Sequence, residues 1–176
     1  MLTESKGQIQ FIKNLSQEIA SNSNLKIHFL GRGPRIRDRI EHFSNIFNIS
    51  DRVVMHGYQP RRYTLSLIKS CQLVVIPSMW DEPFGRVPLE AALMKRACVS
   101  FDSGGLVESI IHDKTGIIIK KGDFKKLYES IVQLQNNPEK RIKLGLNAYS
   151  HLMEKYDIFN IKQKFDSIWF EKNLNS

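Results

Sequence analysis

The residues best able to do chemistry lie in one stretch, residues 77–91, reading Pro-Ser-Met-Trp-Asp-Glu-Pro-Phe-Gly-Arg-Val-Pro-Leu-Glu-Ala. It follows an apolar strand and runs into a helix. Gly85 permits close approach of a ligand to the backbone. Pro88 has no N–H to lose in a first helical turn, so the amides around Gly85, Arg86 and Val87 point outward together. A helix N-terminus of this kind suits an anion, here a diphosphate. Glu82 and Glu90 flank it, one in the loop before the helix and one about a turn inside it. They make a poor general acid/base pair, because both would have to face one bond. Accepting hydroxyl hydrogen bonds around a bound sugar and a ribose suits them better, while capping and solvent-facing roles stay equally open.

The other candidates exclude more than they support. Gly31-x-Gly33 follows a strand, but the third glycine of a dinucleotide fingerprint is replaced by Ile36, and no G-x-x-x-x-G-K-[ST] loop exists. Dehydrogenase and NTPase chemistry are therefore disfavoured. His28, His42, His56, His112 and His151 form no metal-spaced pair, and no Asp-x-Asp occurs, so no metal site is expected. His56, at a strand end, reads as a satisfied core or edge histidine. Cys71 and Cys98 stand apart without a second pair, each beside an apolar run, and read as reduced core thiols of a cytosolic protein.

The elements that must carry these residues alternate in hydrophobic period. Ile9, Ile12, Leu15 and Ile19 form a helical stripe, and residues 25–30 alternate as a strand ending at Gly31. Pro34 opens a second helix with Ile36, Ile40, Phe43 and Phe47. A short strand at 53–55 ends at Gly57, and a short helix follows Arg61-Arg62. Residues 73–76 read as a fully buried strand, 88–94 as a helix, 97–101 as a strand, 106–111 as a short helix and 117–119 as a strand. Asp123 is placed to cap the next helix, and two more helices are expected at 138–154 and 158–170. Strands alternating with helices predict a doubly wound α/β fold, a parallel sheet with helices on both faces. Ligands of such sheets sit beyond the carboxyl ends of the strands, where the Gly31, Gly57, Pro77 and Asp102 loops fall.

The chain of 176 residues carries 26 Lys and Arg against 18 Asp and Glu, a net charge of +8. The basic residues are scattered and accompany no nucleic-acid motif, so no nucleic-acid partner is expected. A solvated basic surface is the simpler reading, with attraction to an anionic ligand or an anionic membrane face as the alternative. No apolar run approaches the roughly 18–20 residues of a membrane span.

These motifs, in this order, resemble the C-terminal donor-binding domain of the retaining GT-B glycosyltransferases of family 4, the glycosyl transferases group 1. Glu82-x-Phe84-Gly85-x-x-x-x-Glu90-Ala91 is similar to their E-x7-E signature and Lys6-Gly7 to their KG. Leu30-Gly31-x-Gly33-Pro34, Val53-x-x-His56-Gly57, Pro77-Ser78, Gly104-Gly105-x-x-Glu108 and Thr115-Gly116 follow in the family's order over residues 6–152. Arg86 departs from the small or aliphatic residue common there, and His56 from the usual aromatic.

The resemblance implies a sugar transferred from a UDP-, GDP- or similar nucleotide sugar to a glycan or lipid-linked acceptor, as in polysaccharide synthesis. Transfer would proceed with retention, without a metal ion or other cofactor. Lys6 would neutralise the donor diphosphate, and the amides of Phe84, Gly85, Arg86 and Val87 would hold the distal phosphate. Glu82 would contact the transferring sugar and Glu90 the ribose. The loop of Gly31 and Gly33 and the turn at Gly57-Tyr58 would lie near the base. Residues 1–152 would form the Rossmann-like domain and 153–176 its C-terminal helix, in the cytoplasm or peripherally at the inner membrane face. The N-terminal acceptor domain and the first, central strand of the 3-2-1-4-5-6 sheet have no counterpart in the chain. A sheet lacking that strand would leave two neighbours without a ladder partner, and the expectation is a domain inactive alone.

Overall fold

The computed structural model describes residues 2–155; the helix expected at 158–170 lies outside them. After a 3-10 turn (Glu4–Lys6) the order is α1 (Gln8–Ser21), β1 (Ile27–Leu30), α2 (Pro34–Ile46), β2 (Val53–Gly57), α3 (Arg61–Ser70) and β3 (Val74–Ile76). Then come α4 (Arg86–Leu93), β4 (Cys98–Phe101), α5 (Leu106–Ser109), β5 (Gly116–Ile119), α6 (Phe124–Asn136) and α7 (Pro138–Lys155). Local chemistry accounts for the ends that position the site. Pro34 sits in the first turn of α2, where its fixed φ suits a helix start. The Asp123 carboxylate caps α6 as expected, accepting from the Lys126 amide at 2.9 Å.

Every strand pairing is parallel, and the ladders fall into two sheets, β1-β2 and β3-β4-β5. Among the described residues no strand lies between β1 and β3. Residues 2–6 instead cross the carboxyl ends of both sheets. The Leu2 amide donates to the Arg32 carbonyl beyond β1, and the Ser5 carbonyl accepts from Met79 beyond β3.

Alternation along β4 divides the core. Val99 and Phe101 enter a large cluster with Ile12, Leu15, Ile40 and Leu127 from the helices on one face, while Cys98 enters a smaller one with Ala91, Leu106 and Ile110 on the other. Helices therefore cover both faces of the three-stranded sheet. The expectation that 73–76 is buried throughout fails: Ile76 is buried, but Val74 and Val75 are only half-buried. Among the described residues β4 is the one ladder partner of β3, and no strand pairs with its other flank. Cys71 also departs from the core reading. It caps the end of α3 and is half-buried, whereas Cys98 is buried on β4, where desolvation pushes its thiol pKa up to about 12.

Candidate functional site

The site is assembled by a tight contact at the start of α1. Gly7 follows Lys6 at φ 76°, and a Cβ there would stand 1.8 Å from the carbonyl oxygen of Pro77 at the end of β3. Both the left-handed backbone and this approach require glycine. The loop after β3 is laced to the same turn, since the Ser5 carbonyl accepts from the amides of Met79 at 2.8 Å and Trp80 at 3.0 Å. This docking brings Lys6 to Glu82, 76 positions away in sequence, and the ammonium donates to the carboxylate Oε1. The pair is sheltered, with the Lys6 side chain 32% exposed and that of Glu82 11%.

Glu82 is held from several sides. The fully buried Ser78 hydroxyl lies 2.9 Å from the same Oε1 and 3.1 Å from the Trp80 carbonyl, so one proton serves two acceptors. The Ser78 carbonyl accepts from Ser103, and the Glu82 carbonyl accepts from the Gly105 amide at 2.6 Å. Two loops from adjacent strands thus fix one carboxylate.

α4 begins at Arg86, two residues before the expected Pro88 start, so the proline occupies the third helical position. The first-turn amides are those of Arg86 and Val87, which have no carbonyl partner within the helix. Gly85 precedes them at φ 70°, and a Cβ there would lie 2.5 Å from Leu106 Cδ2. The left-handed backbone, with this close approach beside it, favours glycine here. Phe84, Arg86 and Val87 are exposed, and Glu90 lies half-buried within the helix.

A second group gathers at the end of the two-stranded sheet. The Gly31 amide donates to the Gly57 carbonyl at 2.8 Å, and a Cβ at Gly33 would stand 2.3 Å from the Leu2 carbonyl oxygen. The Arg32 guanidinium lies 4.1 Å from the ring centroid of Tyr58, which is 63% exposed. Such a cation–π contact is worth about 0.5–1 kcal/mol at an exposed position. Below this end, His56 Nε2 lies 2.9 Å from His28 Nδ1 and His56 Nδ1 lies 3.1 Å from the Tyr63 hydroxyl, which makes His56 a satisfied edge histidine.

The fold therefore joins Lys6 to Glu82 directly and carries Gly85, Arg86, Val87 and Glu90 on the adjoining helix. Gly31, Gly33 and Tyr58 form the separate group. Ser78, Ser103 and Arg32 were not singled out as site residues from the sequence. The Pro77-Ser78 pair just beyond a strand was the available signal for Ser78; nothing local marks the other two. Among the described residues no group of three or more His, Cys, Asp and Glu side chains is disposed to hold a metal ion. No described helix is long and apolar enough to cross a membrane.

The family model for glycosyl transferases group 1 matches residues 1–151. The alpha-D-kanosaminyltransferase of Streptomyces kanamyceticus is 26% identical over 169 residues, covering 96% of this chain and 43% of its own. The crystal structure of Anabaena Alr3699/HepE in complex with UDP aligns with a TM-score of 0.86 at 23% identity, over 97% of this chain and 46% of that one. The C-terminal domain of a glycosyl transferase group 1 family protein (LpcC) from Francisella tularensis aligns with a TM-score of 0.78 at 21% identity, over 89% of this chain and 83% of that one. The chain thus spans less than half the length of the kanosaminyltransferase and of HepE, and it shares the α/β fold of both solved structures.

Proposed function

The chain belongs to the glycosyl transferases group 1 family, and from that premise we propose that it binds the donor, a nucleoside-diphosphate sugar, for transfer to a glycan or lipid-linked acceptor. Transfer proceeds with retention of configuration, and the acceptor is presented by a separate N-terminal domain. The observation that carries the reading is the Lys6–Glu82 pair, a cation and a carboxylate brought together from positions 76 apart in sequence, with Glu82 in the loop that leads into α4.

Each group has a task. A departing nucleoside diphosphate gains negative charge as the glycosidic bond breaks, and preorganised cations and amides lower that cost most where water is excluded. Lys6 supplies the cation, and the Arg86 and Val87 amides supply the helix-terminal dipole. No metal ion is required in this role. The Glu82 carboxylate, fixed by Ser78, receives a hydroxyl of the transferring sugar. Glu90, farther along α4, receives the ribose hydroxyls. The Gly31 loop and Tyr58 border the base. The HepE structure is a complex with UDP, which supports a nucleotide ligand for this chain. The basic surface favours peripheral contact with an anionic membrane face in the cytoplasm.

Titration of the purified chain with UDP and GDP by calorimetry tests the reading. Binding of one of them is expected, weakened roughly tenfold or more by Lys6→Ala or Glu90→Ala, since a hydrogen bond to a charged group contributes about 1.5–3 kcal/mol. Absence of binding to either nucleotide at millimolar concentration overturns it.

A further inference from the structure

We infer that the Lys6–Glu82 ion pair is a latch on the diphosphate subsite, which a nucleoside diphosphate opens on entry by competing with Glu82 for Lys6. The inference rests on the donor-binding reading and adds to it a regulation of the same site. Lys6 is engaged by this carboxylate, its ammonium donating to Glu82 Oε1. The Ser78 hydroxyl is 2.9 Å from that same oxygen, so the carboxylate is held toward the ammonium even when Lys6 leaves it. The Lys6 backbone is fixed on either side. Ser5 bonds to Met79 and Trp80, and Gly7 packs on Pro77.

The electrostatic consequence is direct. The +1 of Lys6 and the −1 of Glu82 cancel within a sheltered contact. An incoming diphosphate meets an ammonium already shared with a carboxylate that remains aimed at it, and the two anions compete for one cation. With a full donor bound, the displaced carboxylate is compensated by a sugar hydroxyl. A bare nucleoside diphosphate lacks that compensation, so Glu82 weakens its binding through the hold on Lys6, and does so less for the donor, whose sugar contacts the carboxylate.

The test is a double-mutant cycle on the intact chain, with UDP, GDP and ADP as probes and calorimetry as the readout. Glu82→Gln keeps the shape and an oxygen for Ser78 but removes the charge. It is expected to tighten binding of the preferred nucleotide roughly tenfold, the size of one charge-assisted hydrogen bond. In the Lys6→Ala background the same substitution is expected to change affinity less than twofold. Ser78→Ala, which frees the carboxylate without removing it, is expected to tighten binding by a smaller factor, and it serves should the first variant fold poorly. If the wild type binds a nucleotide and Glu82→Gln binds no tighter, the latch is wrong while the donor-binding reading stands. Tightening that persists undiminished in the Lys6→Ala background also overturns it, because that result means simple repulsion between Glu82 and phosphate. Failure of the wild type to bind any of the three nucleotides removes the donor-binding reading itself.

Discussion

β4 is buried along its whole length between helices on both faces, whereas every residue of β2 keeps part of its surface in solvent. The two sheets share a core, yet they offer different physical settings for a ligand. At the end of the three-stranded sheet, Glu82 is fixed by Ser78 and by the Gly105 amide, and Lys6 reaches it from a turn laced to the same loop. At the end of the two-stranded sheet, the most exposed aromatic of the Gly31–Gly57 loops, Tyr58, is covered by a single arginine. Under the proposed donor-binding reading, charge that must be held in place is handled where packing fixes side chains, and recognition of a flat ring is left where they can adjust.

The contrast is tested most strongly in the core. Phe101 has no exposed surface and packs edge-on against Phe124 with ring centroids 5.1 Å apart. Phe101→Ala is expected to cost about 3–5 kcal/mol in urea denaturation, because tight surroundings leave a cavity that cannot collapse. Phe29→Ala, on β1, is expected to cost clearly less, since that sheet is partly open to solvent and its surroundings can relax. Equal losses would show that the two sheets are packed alike and would break the comparison.

The ligand itself divides the two ends next. Lys6→Ala is expected to lower UDP affinity roughly 10–100-fold while leaving uridine binding unchanged, because the nucleoside carries no phosphate. Tyr58→Ala is expected to weaken UDP and uridine alike by only a few-fold, in line with an exposed aromatic contact of about 0.5–1 kcal/mol. Calorimetry on both ligands reads the split. A Tyr58→Ala protein that loses UDP but retains uridine would place the tyrosine at the phosphates instead.

Much of this arrangement was legible in the sequence where it depends on neighbours along the chain. The stripe of Ile9, Ile12, Leu15 and Ile19 and the Asp123 cap are local consequences of period and turn chemistry and stand as read, and the helix after Gly85 differs in starting at Arg86 instead of Pro88. What was not legible depends on contacts between distant segments. Lys6 entered only through family resemblance, because nothing in its own surroundings says that it meets a carboxylate 76 positions on. The half-burial of Val74 and Val75 follows from which strands pair with β3, a property of the sheet and not of the apolar run. Gly33 was read for its loop, whereas its tightest constraint is the Leu2 carbonyl.

The smallest expected effect lies on the two-stranded sheet, and it is a dependence on pH. His28 and His56 share a hydrogen bond between ring nitrogens 2.9 Å apart, which needs at least one neutral imidazole to accept. Partial burial, then the positive charges that His56 and Lys26 carry when protonated, hold the His28 pKa below its ordinary value of 6.5. The unfolded chain consequently binds that proton more tightly than the native one. This contribution to stability is full above pH 6.5 and is lost as pH falls through 6.5 toward the native pKa. Urea denaturation at pH 7.5 and 5.5 is expected to show a loss at the lower pH that shrinks in His28→Gln, where nothing titrates at that position. Because the pair bridges β1 and β2, hydrogen exchange at pH 5.5 should accelerate first in those two strands, with β4 unaffected. Acceleration spread evenly over both sheets would mean that they open as one unit, and the division drawn between them would then hold for ligand contacts alone.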